Sequence, residues 1–252
     1  MTFDFGGGTA PATVPLTDGA AATSHTYTRT SGSPYPLTGT YNGDSNFTAS
    51  TGSDTQTLSK SKSMTTVTST PDPSASGQSV TVRATVSAAS GTPTGNVTFT
   101  FGDGTGSATA PVSGGVATVT HAYTGTTGSP FTLSAAYGGN DSFTASSGTD
   151  TQMVNKAATS TVVLSTPNPS TTGDHVTVTA TVTTVAPGTG TPTGSITLAI
   201  AGRTPQTVPL VDGRASAVFN PLPKGTHLVT GNYNGEVSYA PSSGTTIQVV
   251  TN

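Results

Sequence analysis

Apolar and polar residues alternate along much of this chain with a period of two, which is typical of β-strands that bury one face. In residues 80–86, Val or Ala occupies every second position with Thr or Arg between, and residues 97–101 read Val-Thr-Phe-Thr-Phe. Similar stretches predict further strands near residues 116–123, 131–137 and 152–155. No segment shows a helical period, so the pattern predicts an all-β chain.

The pattern recurs along the chain with a spacing of 96 residues. The motif Thr2-Phe3-Asp4-Phe5-Gly6 returns as Thr98-Phe99-Thr100-Phe101-Gly102. The same spacing relates Tyr137 to Tyr233, beyond an insertion within residues 182–192. Self-similarity at a fixed period indicates repeated structural units, which we call modules.

The modules are unequal in length. Residues 61–156 and 157–252 are full repeats, whereas residues 1–60 match only the last 60 positions of a repeat. About the first 36 positions are therefore absent from the first module. In the second module these positions hold the Pro-x-Pro motif at residues 71–73 and the Val-rich strand of residues 80–86.

Turn sequences separate the predicted strands, among them Gly91-Thr92-Pro93, Gly102-Asp103-Gly104 and Gly138-Gly139-Asn140-Asp141. Pro71 and Pro73 cannot donate to a hydrogen-bonded ladder, which predicts a sheet edge there. About seven short strands within one repeat, without a helix, predict a β-sandwich.

Composition narrows the classes of function. Charged residues make up only 8% of the 252 residues, with 8 Lys plus Arg and a net charge of −3, which argues against a nucleic-acid partner. No apolar run reaches the roughly 18 residues of a membrane span. The chain has no Cys, so it has no disulfide, thiolate nucleophile or Cys-based metal site. A Thr-, Ser- and Gly-rich β-protein of this kind is expected to be secreted or on a bacterial cell surface, although residues 1–5 do not resemble a signal peptide.

The full modules carry motifs that resemble a known family. They include Ser69-Thr70-Pro71-Asp72-Pro73, Gly77-Gln78-Ser79-Val80-Thr81-Val82, Thr92-Pro93-Thr94-Gly95-Asn96-Val97 and Tyr137-Gly138-Gly139-Asn140. These motifs resemble the bacterial Ig-like domain repeat of group 3. In the first two modules, Phe101-Gly102-Asp103-Gly104 and His121-Ala122-Tyr123 with their counterparts also resemble motifs of PKD-type sandwiches. The resemblance implies tandem immunoglobulin-like β-sandwiches with a spacer, stalk or adhesion role, and it carries over no catalytic residues.

Two histidines, His25 and His121, occupy equivalent positions, each two residues before a tyrosine. A metal site or a catalytic base needs several converging donors, and few carboxylates lie nearby in the sequence. A structural hydrogen-bonding role is therefore favoured for both. His175 and His227 have no counterparts in the other modules and are expected at the surface.

A recurring loop, Gly43-Asp44, Asn140-Asp141 and Gly235-Glu236, is the candidate cation site. Calcium needs six to eight oxygen ligands, and each loop supplies one or two carboxylates, so a tight turn is favoured instead. We predict no metal or cofactor.

The recurring Gln56, Gln152 and Gln248 and the nearby Lys60 and Lys156 raise the question of an internal covalent cross-link. Such chemistry needs a buried acid beside the reacting pair, and the chain holds a single Glu. A serine hydrolase needs a positioned Ser–His–acid set, and no G-x-S-x-G motif is present. The sequence therefore predicts no catalytic residue, and a protein that is not an enzyme.

The short first module cannot close a sandwich by itself, because it lacks two strands and open sheet edges recruit strands. Either the chain is a piece of a longer protein, or another chain supplies the missing strands. The sequence thus predicts a structural extracellular stalk, fibre or adhesin segment that forms homo-oligomers or fibres through residues 1–60. Two alternatives stay open: a carbohydrate-binding accessory module, with Tyr35, Tyr41 or Tyr239 exposed to a surface glycan, and a phage fibre or decoration protein.

Overall fold

The computed structural model describes all residues, 1–252, as β-strands joined by loops and turns. The all-β fold predicted from the alternating pattern is confirmed. None of its elements is a helix of the length and apolar character needed to cross a membrane.

The first module contains a single sheet. Its four strands are β1 (Thr2–Asp4), β2 (Ala12–Thr13), β3 (Tyr35–Tyr41) and β4 (Ser50–Gln56). They pair in the order β2-β1-β3-β4, with every pair antiparallel.

The second module is a two-layer sandwich. Its strands are β5 (Ser63–Thr70), β6 (Ser74–Ala75), β7 (Ser79–Ala88), β8 (Gly95–Thr100), β9 (Ser107–Val112), β10 (Val116–Ala122), β11 (Phe131–Tyr137), β12 (Ser146–Gln152) and β13 (Val154–Asn155). One sheet has the order β10-β7-β5 and the other the order β12-β11-β8-β9, while β6 and β13 form a short parallel pair at the edge. These seven longer strands match the expected number.

The core of the second module lies between these two sheets. The apolar residues of β7, namely Val80, Val82, Ala84 and Val86, are at most 2% exposed. They pack with Phe99 and Leu133 of the facing sheet, both fully buried. Burial of one face explains why the sequence alternates so strictly there, since a shift of one residue would expose the whole apolar set.

One strand was not predicted from the sequence. The strand predicted near residues 152–155 is present as β13, but β12, from Ser146 to Gln152, precedes it. The segment 146–151 consists of Ser, Gly, Thr and Asp and shows no apolar alternation, so the pattern did not reveal it. Its order comes from the seven-residue antiparallel register with β11.

The third module repeats this sandwich. Its strands are β14 (Thr159–Thr166), β15 (Ser170–Thr171), β16 (Val176–Thr184), β17 (Ser195–Ile200), β18 (Gln206–Pro209), β19 (Arg214–Phe219), β20 (Gly225–Tyr233) and β21 (Ser242–Thr251). The sheets have the orders β14-β16-β19 and β15-β21-β20-β17-β18 around a second core of 16 buried residues.

The first module lacks an entire sheet, which is more than the two strands that its sequence omits. The counterpart of β10 would lie at residues 20–26, and this segment forms no strand beyond an isolated bridge at Ala20. The reason is that β10 pairs only with β7, which has no counterpart in the first module. The segment that forms strand β10 in the second module is therefore irregular in the first module, because the strand with which it would pair is absent.

Candidate functional site

The inner face of the first module's sheet is open. Its residues Met1, Phe3, Phe5, Leu37 and Gly39 correspond to the core residues Val97, Phe99, Phe101, Leu133 and Ala135 of the second module. The core residues are at most 5% exposed, whereas their counterparts in the first module are only partly buried. Together with Gly52 and Asp54, they line a groove of about 390 Å³, which we call the open face.

A glycine marks the place where another strand crosses this sheet. In the second module, a Cβ on Gly148 would collide with the carbonyl oxygen of Thr65 on β5. Gly244 stands in the same relation to Thr161 on β14. Their counterpart Gly52 has nothing within 4 Å of such a Cβ. The first module thus keeps the space for a crossing strand that it does not contain.

The recurring glutamine has a structural role in both complete modules. The side chain of Gln152 is fully buried, and its Nε2 donates to the carbonyl oxygens of Pro71 at 3.0 Å and Met153 at 2.9 Å. Gln248 donates likewise to Pro167 at 2.9 Å. Gln56 is exposed and reaches only the neighbouring Thr57 carbonyl, at 3.2 Å. These glutamines hold the Pro-x-Pro segment against the last long strand, and the first module lacks that segment.

A hydroxyl pair closes the edge of each complete sandwich. The Oγ of Ser146 lies 2.8 Å from the Thr65 Oγ1, and the Oγ of Ser242 lies 2.7 Å from the Thr161 Oγ1. Their counterpart Ser50 is exposed, since no first strand lies beside it. Ser50, Gly52 and Gln56 therefore mark one edge of the open face. Ser50 and Gly52 were not predicted as functional residues, although both recur at the 96-residue spacing.

The two equivalent histidines, His25 and His121, lie in different environments. In the second module, the His121 ring stacks on Phe101 at 4.0 Å between centroids, and its Nε2 lies 2.6 Å from the Asp103 Oδ2. In the first module, His25 stacks on Phe5, but Gly7 occupies the position equivalent to Asp103. The hydrogen-bonding role proposed for both histidines thus fits His121, and for His25 the structure shows ring stacking.

Burial and hydrogen bonds shift the pKa values of two groups beside His121, namely Asp103 and Tyr123. Burial opposes ionisation of Asp103, but hydrogen bonds from Thr105 and His121 outweigh it and lower the pKa of the carboxyl group. Burial, with a smaller effect of the Asp103 charge, raises the pKa of Tyr123 to about 12. The Tyr123 hydroxyl donates to the Phe101 carbonyl at 3.1 Å. This column of rings and the hydrogen bond between His121 and Asp103 stabilise the end of the sandwich.

The two other histidines, His175 and His227, lie outside this column of rings. His175 is exposed, and His227 is half-buried with its Nε2 2.8 Å from the Pro223 carbonyl oxygen. No group of three or more His, Asp or Glu side chains is placed to hold a metal ion.

The recurring loops are turns closed by their own side chains. The Oδ1 of Asp44 accepts from the backbone N–H groups of Asn46 at 2.7 Å and Phe47 at 2.9 Å. The Oδ1 of Asn140 accepts in the same way from Ser142 and Phe143, at 2.8 and 3.0 Å. A hydrogen bond from Tyr41 is the main reason that the pKa of Asp44 is lowered. The Oδ1 atoms of Asp44 and Asn140 are thus engaged with the backbone.

The tyrosines considered as a sugar-binding platform are not aligned on the surface. Tyr35 is 6% exposed and donates to the backbone carbonyls of Arg29 and Ser31. Tyr41 and Tyr239 are half-buried and lie in different modules. Phe47 is the one strongly exposed aromatic residue, at 68%.

Comparisons with known proteins agree with this architecture. The family model of the bacterial Ig-like domain (group 3) matches residues 67–155 and 162–252, one match for each complete module. It describes an immunoglobulin-like domain rather than an enzyme. No curated protein sequence matches this chain.

The similar solved structures include a repeat of an adhesion protein, an adhesin and fibronectin(III)-like modules. The tetra-tandem repeat in the extending region of a large adhesion protein is 18% identical, with a TM-score of 0.42, over 85% of this chain and 56% of that chain. The adhesin InvE of Yersinia pseudotuberculosis is 18% identical, with a TM-score of 0.37, over 75% and 59%. Fibronectin(III)-like modules of Clostridium thermocellum CbhA are 18% identical, with a TM-score of 0.28, over 73% and 94%. The family model covers both complete modules and therefore more than half of the residues of this chain. The chain thus belongs to the bacterial Ig-like domain (group 3) family.

Proposed function

We propose that this chain is a structural segment of an extracellular or cell-surface protein, a stalk, fibre or adhesin segment that assembles through its first module. The observation that carries the proposal is the open face. The second and third modules cover the same face with their own first strands, and the first module leaves it uncovered. β-strand complementation by another chain would cover it and join the chains end to end.

A spacer role is supported by the way in which consecutive modules meet. At the second junction, the Thr126 Oγ1 donates to the Val237 carbonyl at 2.7 Å, and the Ser238 Oγ donates to the Thr124 carbonyl at 3.0 Å. The equivalent four residues meet at the first junction, where Thr30 donates to Asp141 and Ser142 donates to Thr28. Each module is therefore set on the next by the same contacts, as a repeating rod requires.

Assembly is supported by the physical chemistry of an uncovered sheet. The open face exposes apolar side chains whose counterparts in the second module are core residues. Removing such apolar surface from water is favourable. Segment 20–26 also has unpaired backbone groups, and free strand edges pair with other strands. Both features favour association through the first module, to give a homo-oligomer or a fibre.

Light scattering over a concentration series of the purified chain tests the proposal. We expect reversible association that increases with concentration and that is lost in Leu37→Lys, which places a charge on the open face. Thr51→Lys serves as the control, because Thr51 lies exposed on the outer face of β4. A chain that stays monomeric at every concentration, or that associates equally well with Leu37→Lys, contradicts assembly through this face.

A further inference from the structure

We infer that the natural occupant of the open face is a module-opening segment additional to the two that residues 1–252 contain. We use this name for residues 61–88 of the second module and 157–184 of the third, which hold the first strands of each sandwich. The inference rests on the proposed assembly through the first module and specifies the partner. That partner is an extended segment with a Pro-x-Pro motif followed by an alternating Val-rich strand.

The chain itself shows twice what covers this face. In the second module, β5 and β7 form the opposing sheet with β10, and β7 buries its four apolar residues against the facing sheet. In the third module, β14 and β16 form the same sheet with β19. The open face has an equivalent apolar surface in Phe3, Phe5 and Leu37. The shape and the polarity of the missing sheet are therefore given by its two complete copies.

Three polar or small positions would set the register of an incoming segment. Gly52 leaves room for the backbone to cross, as Gly148 does for Thr65. Ser50 presents a hydroxyl where Ser146 bonds to Thr65. Gln56 presents an amide where Gln152 binds the carbonyl of Pro71. A segment that carries Thr and Pro six residues apart, as Thr65 and Pro71 are, satisfies all three positions.

Backbone acceptors in the segment that follows β4 would hold the same incoming segment. In the second module, the N–H groups of Ser74 and Ser76 donate to the carbonyls of Met153 at 3.0 Å and Asn155 at 2.8 Å. The counterparts of these acceptors are Thr57 and Ser59, which have no strand beside them. They offer the incoming segment a short parallel pairing like that of β6 with β13.

A cavity of about 570 Å³ at the first junction extends this site onto the second module. It is lined by Tyr27 and Ser59 of the first module and by Ser90 and Gly91 of the second. At the second junction, the turn at Gly77 occupies the corresponding place. There Gly77 donates its N–H to the Tyr123 carbonyl at 2.7 Å and accepts from the Thr189 Oγ1 at 2.9 Å.

The first junction therefore lacks a turn that the second junction has. Tyr27, the counterpart of Tyr123, offers the same carbonyl, and Ser90 precedes Gly91 as Thr189 precedes Gly190. A module-opening segment that enters the open face would place its glycine turn in this cavity. The partner would thus contact two modules and brace the junction between them.

Exchange of module-opening segments between identical copies of residues 1–252 cannot cover every open face. Residues 1–252 contain three modules but only two module-opening segments, and both segments are bound within their own sandwiches. If two copies exchange segments, one module in each copy still has an open face. Complete closure therefore needs a third segment of this kind.

The test uses the full chain and a soluble carrier protein fused to residues 61–88 as the added segment. Calorimetry measures binding, and hydrogen exchange measures protection along the chain. We expect one segment to bind per chain and to dissolve any self-association into 1:1 complexes. Amides of residues 20–26 should gain protection, because this segment would pair with the added strand as β10 pairs with β7.

Variants of the chain then locate the binding site. Gly52→Val should lower the affinity at least about 100-fold by blocking the crossing strand, and Gln56→Ala should lower it roughly 10-fold. Gly138→Val is the matched control, since a Cβ there meets nothing within 4 Å and the other modules have Asn42 and Asn234 at this position. It should bind like the parent chain. A carrier whose Val80, Val82 and Val86 are changed to Ser should not bind.

The outcomes separate this inference from the proposed function. If the segment fails to bind while the chain still associates in a manner sensitive to Leu37→Lys, the partner assignment is wrong and assembly through the open face stands. Binding that leaves residues 20–26 unprotected, or that persists in Gly52→Val, also overturns the assignment. If the segment does not bind and the chain does not associate, both proposals fail.

Discussion

Gly148 lies directly beneath the carbonyl oxygen of Thr65, so close that no side chain could be placed between them. The contact joins the last long strand of one sheet to the first strand of the other, at the edge of the sandwich. Gly244 and Thr161 repeat it in the third module. In the first module, Gly52 faces empty space. The glycine is thus a mark of strand crossing, present even where the crossing strand is missing.

The first prediction concerns this glycine. Gly148→Val should destabilise the second module by about 3 kcal/mol or more, because the obstacle is backbone and cannot rotate away. Gly52→Val should change the stability of the free chain by no more than about 0.5 kcal/mol. Chemical unfolding of the two variants measures the difference. Equal effects would mean that the crossing contact does not limit the residue at this position.

The second prediction concerns the buried glutamine. Gln152→Ala should cost the second module about 2 kcal/mol, because the carbonyls of Pro71 and Met153 lose their donor in a buried setting. Gln56→Ala should be neutral in the free chain, since Gln56 is exposed. Thermal unfolding of both variants provides the comparison. A neutral Gln152→Ala would show that other groups hold the Pro-x-Pro segment.

The third prediction concerns acid. The pKa of Asp103 is lowered from its ordinary value of 3.8 in the folded chain, so its contribution to stability is present above that value. This contribution is lost as the pH falls through the lowered pKa. Asp103→Asn should therefore weaken the second module by about 1 kcal/mol at neutral pH and flatten its loss of stability in acid.

Hydrogen exchange within residues 116–122 at several pH values follows this module alone. The third module has Gly202 at the position equivalent to Asp103 and serves as the internal control. An unchanged acid profile in Asp103→Asn would contradict a stabilising role for the hydrogen-bonded Asp103 carboxylate.

The fourth prediction concerns alkali. Burial, with smaller effects of Glu236 and Tyr239, raises the pKa of Tyr233 to about 12, and burial is also the main cause of the value of about 12 for Tyr123. A raised pKa in the folded state means that stability is lost as the pH rises above the unfolded value of about 10. Tyrosinate absorbance should show groups that titrate well above pH 10, and Tyr123→Phe and Tyr233→Phe should each remove one of them. Titration of all tyrosines near pH 10 in the folded chain would be the contrary result.

The fifth prediction concerns the junctions. Thr126→Val, Thr189→Val and Ser238→Ala together remove the three side-chain donors between the second and third modules. We expect unchanged unfolding of each module but a broader distribution of inter-module distances, because only the contacts between modules are lost. Small-angle scattering or a pair of fluorescent labels measures this. An unaltered distribution would show that the backbone hydrogen bonds of the linker, such as Ala157 N–H to the Ser238 carbonyl, are sufficient.

Much of the fold could be predicted because burial imposes a visible period on the sequence. The alternating residues of β7 and β8 have one buried and one exposed face, and each can be recognised from a few residues alone. β12 could not, because its Ser, Thr and Gly residues carry no apolar alternation and its position depends on pairing with β11. The roles of Gly52 and Gln56 were hidden for a similar reason, since each is defined by a contact with a segment far away in sequence.

The sequence by itself determined that this is a repeated all-β chain with a shortened first copy, because apolar period and repeat spacing are local properties that can be counted along the chain. Only the tertiary structure decided that residues 20–26 form no strand, although their counterparts do. A β-strand is stabilised by hydrogen bonds to a neighbour, and a strand without its neighbour has nothing to pair with. The open face is the consequence of that missing partner.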